Sequence, residues 1–82
     1  MSETQDQNKE LAFGQKAVGI TFNAGGHVLV NSLKEKASVY IDALNELREF
    51  TTNGEVKRML SIAITEAQSS QMWGVKAATW QY

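Results

Sequence analysis

The stretch HVLVNSLKEKASVYIDALNELREF, residues 27–50, decides the fold. Val30, Leu33, Ala37, Tyr40, Leu44 and Leu47 follow one another at alternating spacings of three and four. That is the period of an amphipathic helix with a heptad-like apolar stripe. Ile41 widens the stripe. Lys34, Glu35, Lys36, Asp42, Glu46, Arg48 and Glu49 fill the other faces. The pattern predicts a long helix from about His27 to Phe50. Ser32 and Glu35 also fit a capping box, so a later start at Ser32 stays open.

Thr51-Thr52-Asn53-Gly54 breaks the pattern, and Thr52 with Glu55 fits a second capping box. A second long helix is expected from about Asn53 to Thr79. Two long helices with a short connection fold back on each other. The expected fold class is all-α: an antiparallel helical hairpin of two long helices with an irregular N-terminal arm, completed by homo-oligomerisation.

The arm is LAFGQKAVGITFNAGG, residues 11–26, which holds four of the six glycines together with Phe13 and Phe22. It is too apolar for a free linker and too Gly-rich for a good helix. One short helical turn, packed on the rest, is what it can offer. Asn23-Ala24-Gly25-Gly26 closes it as a turn. The polar residues 1–10 lack apolar periodicity and read as a disordered tail. Residues 11–82 form the single helical-hairpin domain.

The second helix explains why one chain is not enough. Ala63, Ala67, Ser70, Gly74 and Ala77 make a stripe of small residues that admits a close neighbour. Met59, Leu60, Ile62, Ile64, Met72, Trp73, Val75 and Trp80 lie off that stripe. A helix apolar on most faces needs cover on most faces, and one partner helix cannot supply it. A chain of 82 residues buries a small core in any case. With no Cys there is no disulfide to help, and with a single His there is no imidazole metal site within one chain. Oligomerisation is the remedy left. Between the apolar faces runs an uncharged strip, Ser61, Thr65 and Gln68, continued by Lys76 and Thr79. It reads as a solvated face, or as hydrogen-bonding groups for a polar ligand or a second copy.

The balance of charge excludes other classes. Eight Lys and Arg against nine Asp and Glu give a net charge of −1, which argues against binding a DNA or RNA polymer. No apolar run approaches the roughly 20 residues of a membrane span. Residues 1–9 lack the apolar core of a secretory signal, so a cytoplasmic protein is expected.

Catalysis is poorly supplied. His27 stands beside a glycine pair and reads as an exposed helix-start residue. Glu46 and Glu49 sit on an ordinary solvated face. The Gly-rich turn lacks the Lys and Ser/Thr of a phosphate-binding P-loop. No metal, cofactor or catalytic centre is expected. Binding signals are better. A Gly-rich turn leading into a helix N-terminus can face an anion, although such turns are common. Phe13, Phe22, Trp73 and Trp80 are core aromatics in the ordinary reading and base-stacking surfaces in the functional one. Lys34 and Lys36 near the start of the first helix meet Lys76, late in the second, if the hairpin is antiparallel. The ordinary reading leaves them in solvent; the functional one puts them on phosphate.

The segment AFGQKAVGITFNAGG (residues 12–26) and the run AITEAQSSQMWGVKAATW (residues 63–80) resemble the phage anti-CBASS cyclic-oligonucleotide sponges. Those proteins share a helical-hairpin domain with anti-Thoeris sponges. The resemblance covers residues 11–80, and the arm is most similar to the branch from large tailed phages. It implies hairpins that pair into dimers and build a homo-oligomer, typically a hexamer. It implies sequestration of cyclic dinucleotides, such as cyclic GMP-AMP, without cleavage, in the cytoplasm of the infected bacterial host. Cyclic trinucleotides are a further ligand class in branches with a second pocket. Those branches carry Arg at the place of Ile64, a charge this chain lacks. By position, the stacking aromatic falls on Phe13. The phosphate-binding Lys falls on Lys34, with Lys36 as the other choice, and the late basic residue on Lys76. Phe22 and Trp73 join the ligand-binding set by their chemistry.

A second reading belongs to a different class. A small helical adaptor would use the apolar face of the second helix to bind a host or phage protein helix-in-groove. An enzyme is the third and most distant. Ligand-dependent melting separates the first reading from the second.

Overall fold

The computed structural model describes residues 10–23 and 26–81. The expected tail, apart from Glu10, and Ala24 and Gly25 of the expected turn lie outside them. Among the described residues the chain is helical and carries no strand. Three helices follow in order: α1 (Phe13–Ala17), α2 (Val28–Phe50) and α3 (Gly54–Ala78).

α2 starts where the stripe begins. His27 is its N-cap, and His27 Nδ1 accepts the Leu29 amide hydrogen at 3.2 Å. Asn23 braces this entry. Its Nδ2 donates to the His27 carbonyl at 2.9 Å and to Asn31 Oδ1 at 2.8 Å, while its Oδ1 accepts from His27 N at 3.1 Å. The later start at Ser32 is therefore not used.

The cap of α3 differs from the expectation. Thr52 does not form the box with Glu55. Asn53 is the N-cap, and its Oδ1 accepts from Glu55 N at 2.9 Å and Val56 N at 3.1 Å. Asn caps at least as well as Thr, and it stands one residue nearer the first helical turn. Glu55 turns instead to Arg58, with Oε2 to Nη2 at 2.6 Å. This exposed ion pair holds the Glu55 carboxyl below its ordinary range.

The hairpin is antiparallel. Leu33, early in α2, faces Gly74, late in α3: a Cβ placed on Gly74 would lie 3.6 Å from Leu33 Cδ1. Arg48, late in α2, donates to Ser61 Oγ, early in α3, at 3.0 Å. The small-residue stripe thus faces α2, at least through Gly74 and Ala67.

The core is a three-way junction of the arm and both long helices. Val18, Ile41 and Ile64 meet there, ringed by Ala17, Ile20, Ala37, Leu44 and Ala67. The arm is more ordered than a loose strap. Gly14 N in α1 donates to Asp42 Oδ1 at 2.6 Å, and Gln68 Nε2 donates to the Ala17 carbonyl at 3.1 Å. Gly19, at φ 62°, makes the left-handed turn that sends the chain back after α1.

Docking of the arm changes which face of α2 is buried. The buried residues of α2 are Val30, Lys34, Ser38 and Ile41. Three members of the expected stripe stay partly outside: Leu33 is 37% exposed, Leu47 51% and Tyr40 56%. The arm covers the side of α2 that carries Lys34 and Ser38, and α3 alone is too narrow to cover the rest.

Candidate functional site

The turn after α1 lies against the start of α2 and the last turns of α3. Between them opens a cavity of about 570 Å³. Lys16, Phe22, Lys34, Gln71, Met72 and Lys76 are in its wall, with Ala17, Val18, Gly19 and Val75. Three lysines line it, and among the described residues no carboxylate does. A carboxylate-free cavity with several cations suits a multiply charged anion.

Lys34 has a second task. It is buried, and its Nζ donates to the Gly19 carbonyl at 2.9 Å and to the Phe22 carbonyl. The same ammonium stands 5.3 Å from the Phe22 ring centroid. Lys34 therefore ties the turn that carries Phe22 to α2. An ammonium has three donors, so one remains beyond these two carbonyls. Phe22 itself is 76% exposed, with its ring open to stacking.

Lys76 sits between aromatics, 5.2 Å from the Trp73 ring and 5.9 Å from the Trp80 ring. Both indoles are exposed, and with Ser69, Met72 and Ala77 they line two shallow clefts that share Lys76 with the cavity.

The structure thus gathers Phe22, Lys34 and Lys76 in one cavity and puts Trp73 at its edge. It does not bring Phe13 or Lys36 there within one chain. Lys36 Nζ donates to Ser32 Oγ at 3.1 Å, and Lys36 lines a separate groove with Leu33, Tyr40 and Ala67. Phe13 lies under the Arg48 guanidinium, 5.6 Å from its ring. Arg48 and Lys34 are fourteen residues apart on α2. At 1.5 Å per residue that is about 21 Å.

Much of the uncharged strip on α3 is spent inside the chain. Gln68 holds the arm, Ser61 accepts from Arg48, and Thr65 and Thr79 donate back to the carbonyls of Ser61 and Val75. At the start of α2, the amides of His27 and Leu29 already have side-chain acceptors. Lys16 and Gln71 of the wall were not singled out from the sequence, and Met72 was read only as an apolar surface residue. Only the docking of α1 brings Lys16 to α3, so no local pattern marks it. Among the described residues no His, Cys, Asp or Glu cluster could hold a metal ion. No helix among them is long and apolar enough to cross a membrane.

A helical hairpin whose cavity is cationic, aromatic-edged and, among the described residues, free of carboxylates has the chemistry to suit an anion that carries flat rings. Residues 15–79 match the model of the Acb2/Tad1 hairpin domain, and the chain belongs to that family. The family is that of the anti-CBASS and anti-Thoeris sponges, proteins that take up cyclic nucleotides rather than turn them over. Neither the curated proteins nor the solved structures include a match to the chain.

Proposed function

We propose that the protein sequesters host cyclic dinucleotides, such as cyclic GMP-AMP, without cleaving them, and so blocks CBASS immunity in the cytoplasm of the infected bacterial host. The observation that carries this reading is the cavity lined by Lys16, Lys34 and Lys76 beside an exposed Phe22, with no carboxylate among its described wall residues. A cyclic dinucleotide has two phosphodiesters, each with one negative charge, and two bases with open faces. Lys76 and Lys16 approach the phosphates from solvent. Lys34 offers its remaining donor while it holds the turn closed. Phe22 stacks on a base, a contact worth roughly 1–3 kcal/mol. Trp73, at the rim, offers a second stacking face.

Phe13 enters this scheme only from another copy of the chain. The exposed apolar surface supports such an assembly. Val28, Phe50, Met72 and Trp73 are each more than half exposed on the single hairpin, as are Tyr40 and Leu47 of the α2 stripe. In the proposed homo-oligomer, a hexamer built from dimers, a second protomer covers these faces and presents its Phe13, and its Lys36 with it, to the ligand. Cyclic trinucleotides fit less well, because the position of Ile64 is buried and uncharged.

The test is calorimetric titration with a panel of cyclic di- and trinucleotides, followed by heat release and chromatography of the ligand. Tight binding with intact recovery is the expected result. Recovery of linear dinucleotide would mean an enzyme, and no binding across the panel would overturn the reading.

A further inference from the structure

We propose that Gln71 reads the nucleobase in this cavity, its side-chain carbonyl accepting a hydrogen bond from an amino group of a bound purine. The inference rests on the cyclic-dinucleotide reading and adds to it a residue that tells one base from another.

Gln71 Oε1 is shielded from solvent and has no hydrogen-bond partner among the described residues. A buried acceptor left without a donor is costly, and native chains rarely keep one without a reason. Gln71 borders this cavity beside Met72, five residues before Lys76, and also borders the groove lined by Leu33, Lys36 and Tyr40. Its neighbour Gln68 shows how the chain treats an amide it needs for itself: Gln68 Nε2 is tied to the Ala17 carbonyl.

The other wall residues cannot distinguish bases. The three lysines only donate, and phosphates are the same in every cyclic dinucleotide. Phe22 stacks on any base, because every base has a π-face. Ala17, Val18, Met72 and Val75 are apolar. Among the described lining side chains Gln71 alone carries an oxygen acceptor. An amide also sets a donor beside that acceptor, and this pair matches the N6 amino group and N7 of adenine. Adenine-containing dinucleotides are the expected preferred ligands at this position.

Gln71→Met keeps the length of the side chain and removes the amide. Melting of the free variant and calorimetric titration with cyclic di-AMP and cyclic GMP-AMP form the test. Removal of an unpaired buried polar group leaves the melting temperature equal or higher, whereas affinity for the adenine-containing ligands falls about tenfold. A variant that melts as wild type and binds as wild type overturns the assignment and leaves the sponge reading intact. A variant that melts far lower assigns Gln71 to the fold and also overturns it. Absence of binding by the wild type would strike the sponge reading itself.

Discussion

Gly14 and Ser38 meet backbone to backbone: a Cβ on Gly14 would lie 2.0 Å from the Ser38 carbonyl oxygen. The same Cβ would lie 2.9 Å from Asp42 Oδ1, the acceptor of the Gly14 amide. No rotamer change relieves a clash with backbone. Gly14→Ala must therefore lift α1 from α2, breaking the bond to Asp42 and drawing Val18 from the core. An overpacking cost of about 1–3 kcal/mol corresponds to a fall in Tm of at least about 5 °C. Thermal melting by circular dichroism checks it, and an unchanged Tm would mean that α1 does not dock as described.

Gly74→Ala has the opposite expected sign. A Cβ there meets only the methyls of Leu33, at 3.6 and 3.8 Å, which is ordinary contact. Replacing a mid-helix glycine by alanine then gains up to about 1 kcal/mol from helix propensity. Gly74→Leu forces a large side chain between α2 and α3 and loses about 1–3 kcal/mol. The two melting curves should move in opposite directions from wild type. Equal shifts would mean that Gly74 does not face α2.

The cap of α3 gives a comparison between adjacent residues. Asn53 Oδ1 takes two amide hydrogens, so Asn53→Ala should lose about 1 kcal/mol, with a range of about 0.5–2. Thr52→Ala should change little. The reverse order in denaturant unfolding would restore Thr52 as the cap.

How far the sequence is legible follows from where each signal lives. The two long helices, their turn and their antiparallel packing come from local periodicity and a short connection, and both helices end within a residue or so of the expected positions. The buried face of α2 was legible only in part, because burial of Lys34 and Ser38 depends on α1. The heptad-like stripe suggested that Leu33, Tyr40 and Leu47 turn inward. Those three stay partly outside, while Lys34 and Ser38 join the expected Val30 and Ile41 inside. A lysine in that set is invisible to hydropathy. Its burial makes sense only once the Gly19 and Phe22 carbonyls stand above it. Phe22 and Lys76 were legible as binding chemistry, but that they share a cavity with Lys34 is a product of tertiary packing.

The two lysines from the long helices should behave differently when their charge is removed. Lys76 projects beside Trp73 and Trp80, and among the described residues its ammonium makes no hydrogen bond to backbone. Lys76→Met should leave Tm close to wild type and weaken the dinucleotide by roughly tenfold, the size of one charge-assisted contact at about 1.5 kcal/mol. Lys34→Met keeps the apolar stem in place but releases the Gly19 and Phe22 carbonyls. Both carbonyls then lose a charged donor, and the turn bearing Phe22 loosens. The expected result is a lower Tm without ligand together with a loss of affinity larger than that of Lys76→Met, because the phosphate contact and the placement of the stacking ring fail together. Titration at two salt concentrations adds a check. Each variant removes one cation near phosphate, so each should show a shallower salt dependence than wild type. If Lys34→Met melts as wild type, Lys34 does not hold the turn. If it melts lower yet binds the dinucleotide as wild type, Lys34 serves the fold alone, and the phosphates are met by Lys16 and Lys76.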